Sequence, residues 1–277
     1  MADMNAFNSW AEVVRCVACA RDNGRIVTNF FADENRMSRW CADGTFCFIE
    51  IGATLFLLHH QSGFSSLYFL SNSYESLAQD VASLVSTNST YRLVVDVIGR
   101  DSARIPMEDA FRASGFVQLT TLQRMSRKTT TDNAVAGEAD VVVPSIEAAQ
   151  QIHDLLKHNF IAEQEQIPCI EEVEEWISSD EVFIVKDVKK RIIGFVIFDL
   201  SPAALYLRYW FVSPESRGKG VGGKLMHHMF SAGAKTKRQY FWVKTDNENA
   251  IKRYRHYGFE FEQLKDTVFA TGEPGER

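Results

Sequence analysis

The chain has 277 residues, 45% of them hydrophobic and 24% charged, with a formal net charge of −6. That is the composition of a globular protein of one large or two modest domains. It gives no support to nucleic-acid binding, and no apolar run reaches the ~18 residues of a membrane span.

The first residues, "MADMNAFNSW", lack a basic segment followed by an apolar one, so no signal peptide is read. Five cysteines, an odd number, point to a reducing compartment, the cytoplasm. "AEVVRCVACARD" (11–22) predicts an apolar helix in which Cys16 and Cys19 act as small hydrophobes. Cys41 and Cys47 lack zinc spacing, so no metal is expected. Three strands follow: "TFCFIEI" (45–51), "TLFLLHH" (54–60) and "SSLYFL" (65–70). His59 and His60 end the second of them and read as structural or surface side chains. Then come a helix at 73–85, a strand at 91–98, a helix at 107–113 and a strand at 116–125.

The polar, threonine-rich stretch "RKTTTDNAVAGEAD" (127–140) reads as a linker. We therefore expect domains at 1–128 and 139–277, joined by 129–138. The second half alternates. A short strand and a helix lie in "VVVPSIEAAQQIHDLLKHNF", and a second helix is "CIEEVEEWISS". "EVFIVKD" and "RIIGFVIFDL" form a hairpin, and "ALYLRYWFV" (204–212) is a third strand. After a glycine loop come a helix, the strand "QYFWVKT" (239–245), the helix "ENAIKRYRHY" (248–257) and a final strand to residue 270. The first half repeats this order, and "FRASGF" (111–116) matches "YRHYGF" (254–259) at three positions under one offset. Duplication is the reading that follows.

The glycine loop "RGKGVGGKLM" (217–226) contains three overlapping phosphate signatures. A P-loop needs Ser or Thr after its lysine, and Leu225 stands there. A dinucleotide fingerprint belongs in the first β-α unit of a long sheet, and too little chain follows Gly223 to build one. The third signature, R-x-x-G-x-G on Arg217, Gly220 and Gly222, fits its surroundings.

"WFVSPESRGKGVGGKLM" and "DNENAIKRYRHYGF" together resemble the GCN5-related N-acetyltransferase (GNAT) superfamily over about residues 138–271. The resemblance implies an α/β (α+β) fold: two GNAT-like domains, each a mixed, mostly antiparallel sheet flanked by helices, the first degenerate. It implies acetyl-CoA as co-substrate, its pyrophosphate on main-chain amides at a helix N-terminus. The cofactor contacts carried over are Phe211, Val212, Arg217, Gly218, Lys219, Gly220, Val221, Gly222 and Asn247. Arg217, Lys219 and Lys224 add positive charge, and "KTKR" (235–238) is either a further phosphate contact or a solvated turn.

Amides near Val212 would bind the thioester carbonyl, and Tyr254 falls at the family's general-acid position. Its bland reading is a packed aromatic beside Tyr257; Gly258 and Phe259, which complete the motif, favour the acid. The strand before the loop lacks the family's frequent Glu or Asp. The base stays open among Glu163, Glu165, Asp199 and a water chain. Arg208 is either a clamp on an acceptor carboxylate or one half of a surface pair. The acidic run "EQEQIPCIEEVEEW", with Glu165, either draws a cationic amine or is a solvated face.

The activity implied is transfer of an acetyl group to a primary amine, on a small molecule or a peptide, by direct attack. A non-catalytic acyl-CoA-sensing module and an aminoacyl or longer-chain acyl transferase are the alternatives. In the first half "SYESLAQ" (73–79) replaces the glycine loop and Phe111 the tyrosine, so no CoA is expected there. No nucleic acid or membrane partner is expected, and nothing in the sequence supports an oligomer.

Overall fold

The computed structural model describes residues 4–87, 90–129 and 140–272. The chain forms two compact units: residues up to Leu122 together with those from Gln263 on, and Gln123–Glu262. Each unit therefore takes a strand segment from the other half of the sequence. The expected linker lies, beyond residue 129, outside the described residues.

The first unit runs β1 (Asn5–Ala6), α1 (Trp10–Asp22), β2 (Val27–Thr28), α2 (Glu34–Ala42), β3 (Phe46–Ile51), β4 (Thr54–His60), β5 (Ser65–Ser71), α3 (Tyr74–Thr87), β6 (Leu93–Gly99), α4 (Asp101–Ala113) and the start of β7 (Val117–Lys128). Its sheet order is β1-β3-β4-β5-β6 and then the C-terminal part of β13 (Glu260–Ala270). The order is mostly antiparallel, with β5 and β6 parallel. Strand β4 is buried on both faces. Phe56 and Leu58 pack with α3 and α4, while Leu55 and Leu57 pack with α1 and α2, which is why its sequence is continuously apolar.

Helix α4 begins before Pro106, earlier than the sequence suggested, because Asp101 at its start pairs with Arg104 at 2.7 Å. Arg104 also forms a buried ion pair with Glu108 and donates to Thr267 Oγ1 at 3.1 Å. That bond ties the C-terminal strand to α4. Lys265–Ala270 pairs antiparallel with Gly99–Val94, and Thr271 closes the ladder onto Leu93.

The second unit holds the rest of β7, then β8 (Val141–Val142), α5 (Ala149–Asn159), α6 (Ala162–Glu165), α7 (Ile170–Ser178), β9 (Val182–Lys186), β10 (Ile192–Leu200), β11 (Ala204–Val212), α8 (Val221–Ala232), β12 (Arg238–Lys244) and α9 (Glu248–His256). Its sheet order is β7-β12-β11-β10-β9-β8, with β11 and β12 parallel. Helices α5 and α7 cover one face through Phe195, Ile197, Tyr209 and Phe211. Helices α8 and α9 cover the other through Val196, Phe198, Leu205, Leu207 and Phe241.

Arg127 anchors the strand that the first half of the sequence contributes. Its guanidinium donates to Gln239 Oε1 and to Tyr257 O at 2.6–2.9 Å and lies 3.8 Å over the Phe230 ring. Burial lowers its pKa to about 10.

Candidate active site

The site begins where two strands part. Parallel pairing of β11 with β12 runs from Ala204↔Arg238 to Tyr206↔Tyr240 and then ends. Beyond it β11 stays paired with β10 alone, through a bulge between Ile197 and Phe198 that places Arg208 as the extra residue. The bulge reverses the side-chain parity of the strand. Leu205 and Leu207 face α8 before it; Trp210 and Val212 do so after it. The Ser213 amide donates to Ile193 O at 2.8 Å. Strand alternation then aims the Phe211 amide at β10 and the Trp210 and Val212 amides into the split. Val212 O faces the same way and accepts from Arg217 Nε at 3.2 Å.

The loop after β11 is shaped for an anion. A 3₁₀ turn at Pro214–Ser216 leads to Gly218 and Gly220 at φ 78° and 83°, a left-handed backbone that favours glycine. Gly220 is the N-cap of α8 and supplies no capping side chain. Among the described residues, the first-turn amides of Val221, Gly222 and Gly223 have no acceptor. Together with the helix dipole they form a site for negative charge. Gly222 serves packing instead: a Cβ there would lie 2.8 Å from Trp210 Cζ2.

Of the three expected cations, Arg217 and Lys219 are exposed in the loop. Lys224 is held at 2.9 Å by Asp140, whose carboxyl pKa it lowers. In the 235–238 stretch Arg238 lies over the Tyr240 ring at 4.8 Å.

Tyr254 comes from α9, which starts at Asn247. The Asn247 side-chain oxygen accepts from the Ala250 amide at 3.2 Å. The Tyr254 ring sits between the parting strands, 4.0 Å from Phe241 of β12 and 5.7 Å from Trp210 of β11. Its hydroxyl has no hydrogen-bond partner among the described residues, and burial raises its pKa, so the phenol is neutral. Trp210 Nε1 beside it is sealed from solvent without an acceptor among the described residues. A buried polar group left in this state ordinarily awaits a ligand oxygen or water. The sequence contained no signal for Trp210, because its exposure to the split depends on the bulge.

Two of the candidate bases, Asp199 and Glu165, are engaged by neighbouring side chains. Asp199 forms a two-point pair with Arg208, both contacts at 2.6 Å, and accepts from Trp176 Nε1 at 3.0 Å. Arg208 is therefore held half-buried, 5.2 Å from the Trp176 ring, with its pKa raised by Asp199 against the cost of burial. Glu165 pairs with Lys244 of β12 at 3.1 Å and accepts from the Ile161 amide at 2.7 Å. Tyr209 of β11 donates to Glu165 O and Gln166 O at 3.0 and 2.8 Å. The end of α6 is thus tied to both parting strands, with Gln166 at φ 46°. Lys244 and Tyr209 join the site through this tertiary contact.

His59 stacks on Trp40 at 3.8 Å, and His60 lies within hydrogen-bond distance of Cys47 Sγ and Ser65 Oγ. Burial pushes the Cys47 thiol up to about 11, which makes it an inert core group. Among the described residues no group of three or more His, Cys, Asp or Glu could hold a metal, and no helix is long and apolar enough to cross a membrane.

Residues 149–259 match the model of the acetyltransferase (GNAT) family. No curated protein matches the chain by sequence. Among solved structures, a tandem GNAT protein from the clavulanic acid biosynthesis pathway is 12% identical, covers 100% of both chains and superposes with a TM-score of 0.62. An acetyltransferase from the GNAT family of Colwellia psychrerythraea is 13% identical, with a TM-score of 0.57 over 98% of this chain and 100% of that one. A GCN5-related N-acetyltransferase from Sphaerobacter thermophilus is 10% identical, with a TM-score of 0.57 over 97% and 95%. At these identities the likeness is one of fold.

Proposed function

We propose that the chain, whose residues 149–259 match the acetyltransferase (GNAT) family model, moves an acetyl group from acetyl-CoA to a primary amine by direct attack. The observation that carries this reading is the split itself. Main-chain amides of Trp210 and Val212 face it, an uncapped helix start lies at its mouth, and a neutral tyrosine without a partner among the described residues stands between its strands.

Coenzyme A's pyrophosphate takes the amides of Gly220–Gly222, with Arg217 and Lys219 near. Asn247 keeps its amide nitrogen for the cofactor while its oxygen caps α9. Amides at Trp210 and Val212 hold the thioester carbonyl and stabilise the oxyanion that forms on attack. The amine nitrogen bonds to the carbonyl carbon, the carbon–sulfur bond breaks, Tyr254 gives its proton to the departing sulfur, and the proton that the acylated nitrogen sheds returns through water to the tyrosinate. The pairing of Asp199 and Glu165 favours an amine that has already lost its proton to water. Glu165, held over the split by Lys244 and Tyr209, lines the acceptor side.

A thiol-release assay over a panel of amines tests the proposal. Release of CoA that depends on an amine, together with an acetylated product, is expected. Binding of acetyl-CoA without turnover on any amine selects the sensing module, and preference for longer acyl-CoAs selects the longer-chain transferase. No binding of acetyl-CoA or of any longer acyl-CoA refutes all three.

A further inference from the structure

The first unit has the same divergence of parallel strands, and its own chain fills it. Pairing of β5 with β6 stops at Ser66↔Val94. The next stretch of β5 receives β2 instead, with Thr28 opposite Leu70 and Val27 opposite Ser71. Asn29 follows, 3% exposed, and its side chain spans the gap. It donates to Leu67 O on β5 at 3.1 Å and to Asp96 O on β6 at 2.9 Å, and it accepts from the Phe69 amide at 2.9 Å. Thr28 Oγ1 adds a bond to Phe69 O and accepts from the Phe30 amide.

The helix that follows β5 is closed as well. Ser73 Oγ accepts from the Ser76 amide at 3.1 Å, and the first turn of α3 carries the carboxylate of Glu75. At the corresponding place α8 has a glycine cap and, among the described residues, three amides without acceptors. An anion that suits the start of α8 is repelled at the start of α3.

We infer that Val27–Phe30 is a built-in occupant of the first unit's split, in which Asn29 takes the main-chain groups a bound pantetheine would need, so that the chain carries a single acyl-CoA site. The count of sites rests on the function proposed above; the lock itself does not. Its physical content is that Asn29 satisfies buried carbonyls on two strands that no longer pair with each other.

Two measurements decide it. Calorimetric titration of the intact protein with acetyl-CoA is expected to give one site per chain; two sites overturn the lock. Zero sites would overturn the acyl-CoA reading and leave the lock to the second measurement. In Asn29→Ala, amide hydrogen exchange across 65–71 and 93–99 is expected to rise about tenfold or more, with 204–212 and 238–244 unchanged. Unaltered exchange in both first-unit strands overturns the lock. Should Asn29→Ala not fold, Asn29→Asp keeps the shape and the acceptor but loses both donors, and the same exchange criterion applies.

Discussion

Replacing Tyr254 with Phe separates chemistry from packing, because the hydroxyl has no hydrogen-bond partner among the described residues. The ring keeps its neighbours, Phe241 at 4.0 Å and Trp210 at 5.7 Å. Removing an oxygen that bonds to no described residue should change stability by no more than about 0.5 kcal/mol, a shift in Tm within ~2 °C. Loss of a positioned general acid should lower kcat ~10²–10⁴-fold, or about 2.7–5.4 kcal/mol of barrier. Steady-state kinetics, calorimetric binding of acetyl-CoA and thermal unfolding read the three quantities, with acetyl-CoA affinity expected within about twofold of the wild type.

The pH profile adds a signed test. Burial raises the Tyr254 pKa above its ordinary 10.0, so the phenol stays protonated as pH rises through that value. The wild-type kcat should therefore show no descending limb from Tyr254 up to pH 10. A kcat within threefold of wild type in Tyr254→Phe refutes the role. A limb near pH 9 that vanishes in the variant refutes the burial argument.

Gly222→Ala places a Cβ 2.8 Å from Trp210 Cζ2. We expect a loss of about 1–3 kcal/mol in stability and weaker acetyl-CoA binding as the start of α8 shifts; wild-type affinity and Tm would show that the contact relaxes freely. Glu108→Ala leaves Arg104 buried with, among the described residues, only the exposed Asp101 as its charged partner. A loss of about 3 kcal/mol, or ~6–12 °C in Tm, is expected by calorimetry, and a change under 2 °C contradicts it. In thiol titration of the native protein, exposed Cys19 and Cys169 should react at once, while Cys47 waits for unfolding. With burial raising its pKa from 9.0 to about 11 its thiolate is ~100-fold scarcer, and rapid modification of Cys47 would refute its burial.

Much of the protein is local and so can be read along the chain. The period of two in "ALYLRYWFV", the glycines of 217–223, and the Asn247–Tyr254 helix each fix their own backbone through side-chain size, left-handed dihedrals and capping. Those terms act within a few residues, and they placed the loop and its tyrosine correctly in their elements. Other features depend on contacts between distant segments, where sequence spacing carries no information. The bulge at Arg208 turns Trp210 toward α8 only because Asp199 and Trp176 hold the extra residue on the opposite face. The exchange of Lys265–Ala270 into the first unit is fixed by a ladder to β6 and by Arg104, side chains that gain a partner only when the sheet closes. Asn29 directly follows the two-residue strand Val27–Thr28, and nothing in its neighbours along the chain marks its role. It becomes structural because two parting strands leave buried carbonyls that need a donor, a requirement that exists only in three dimensions.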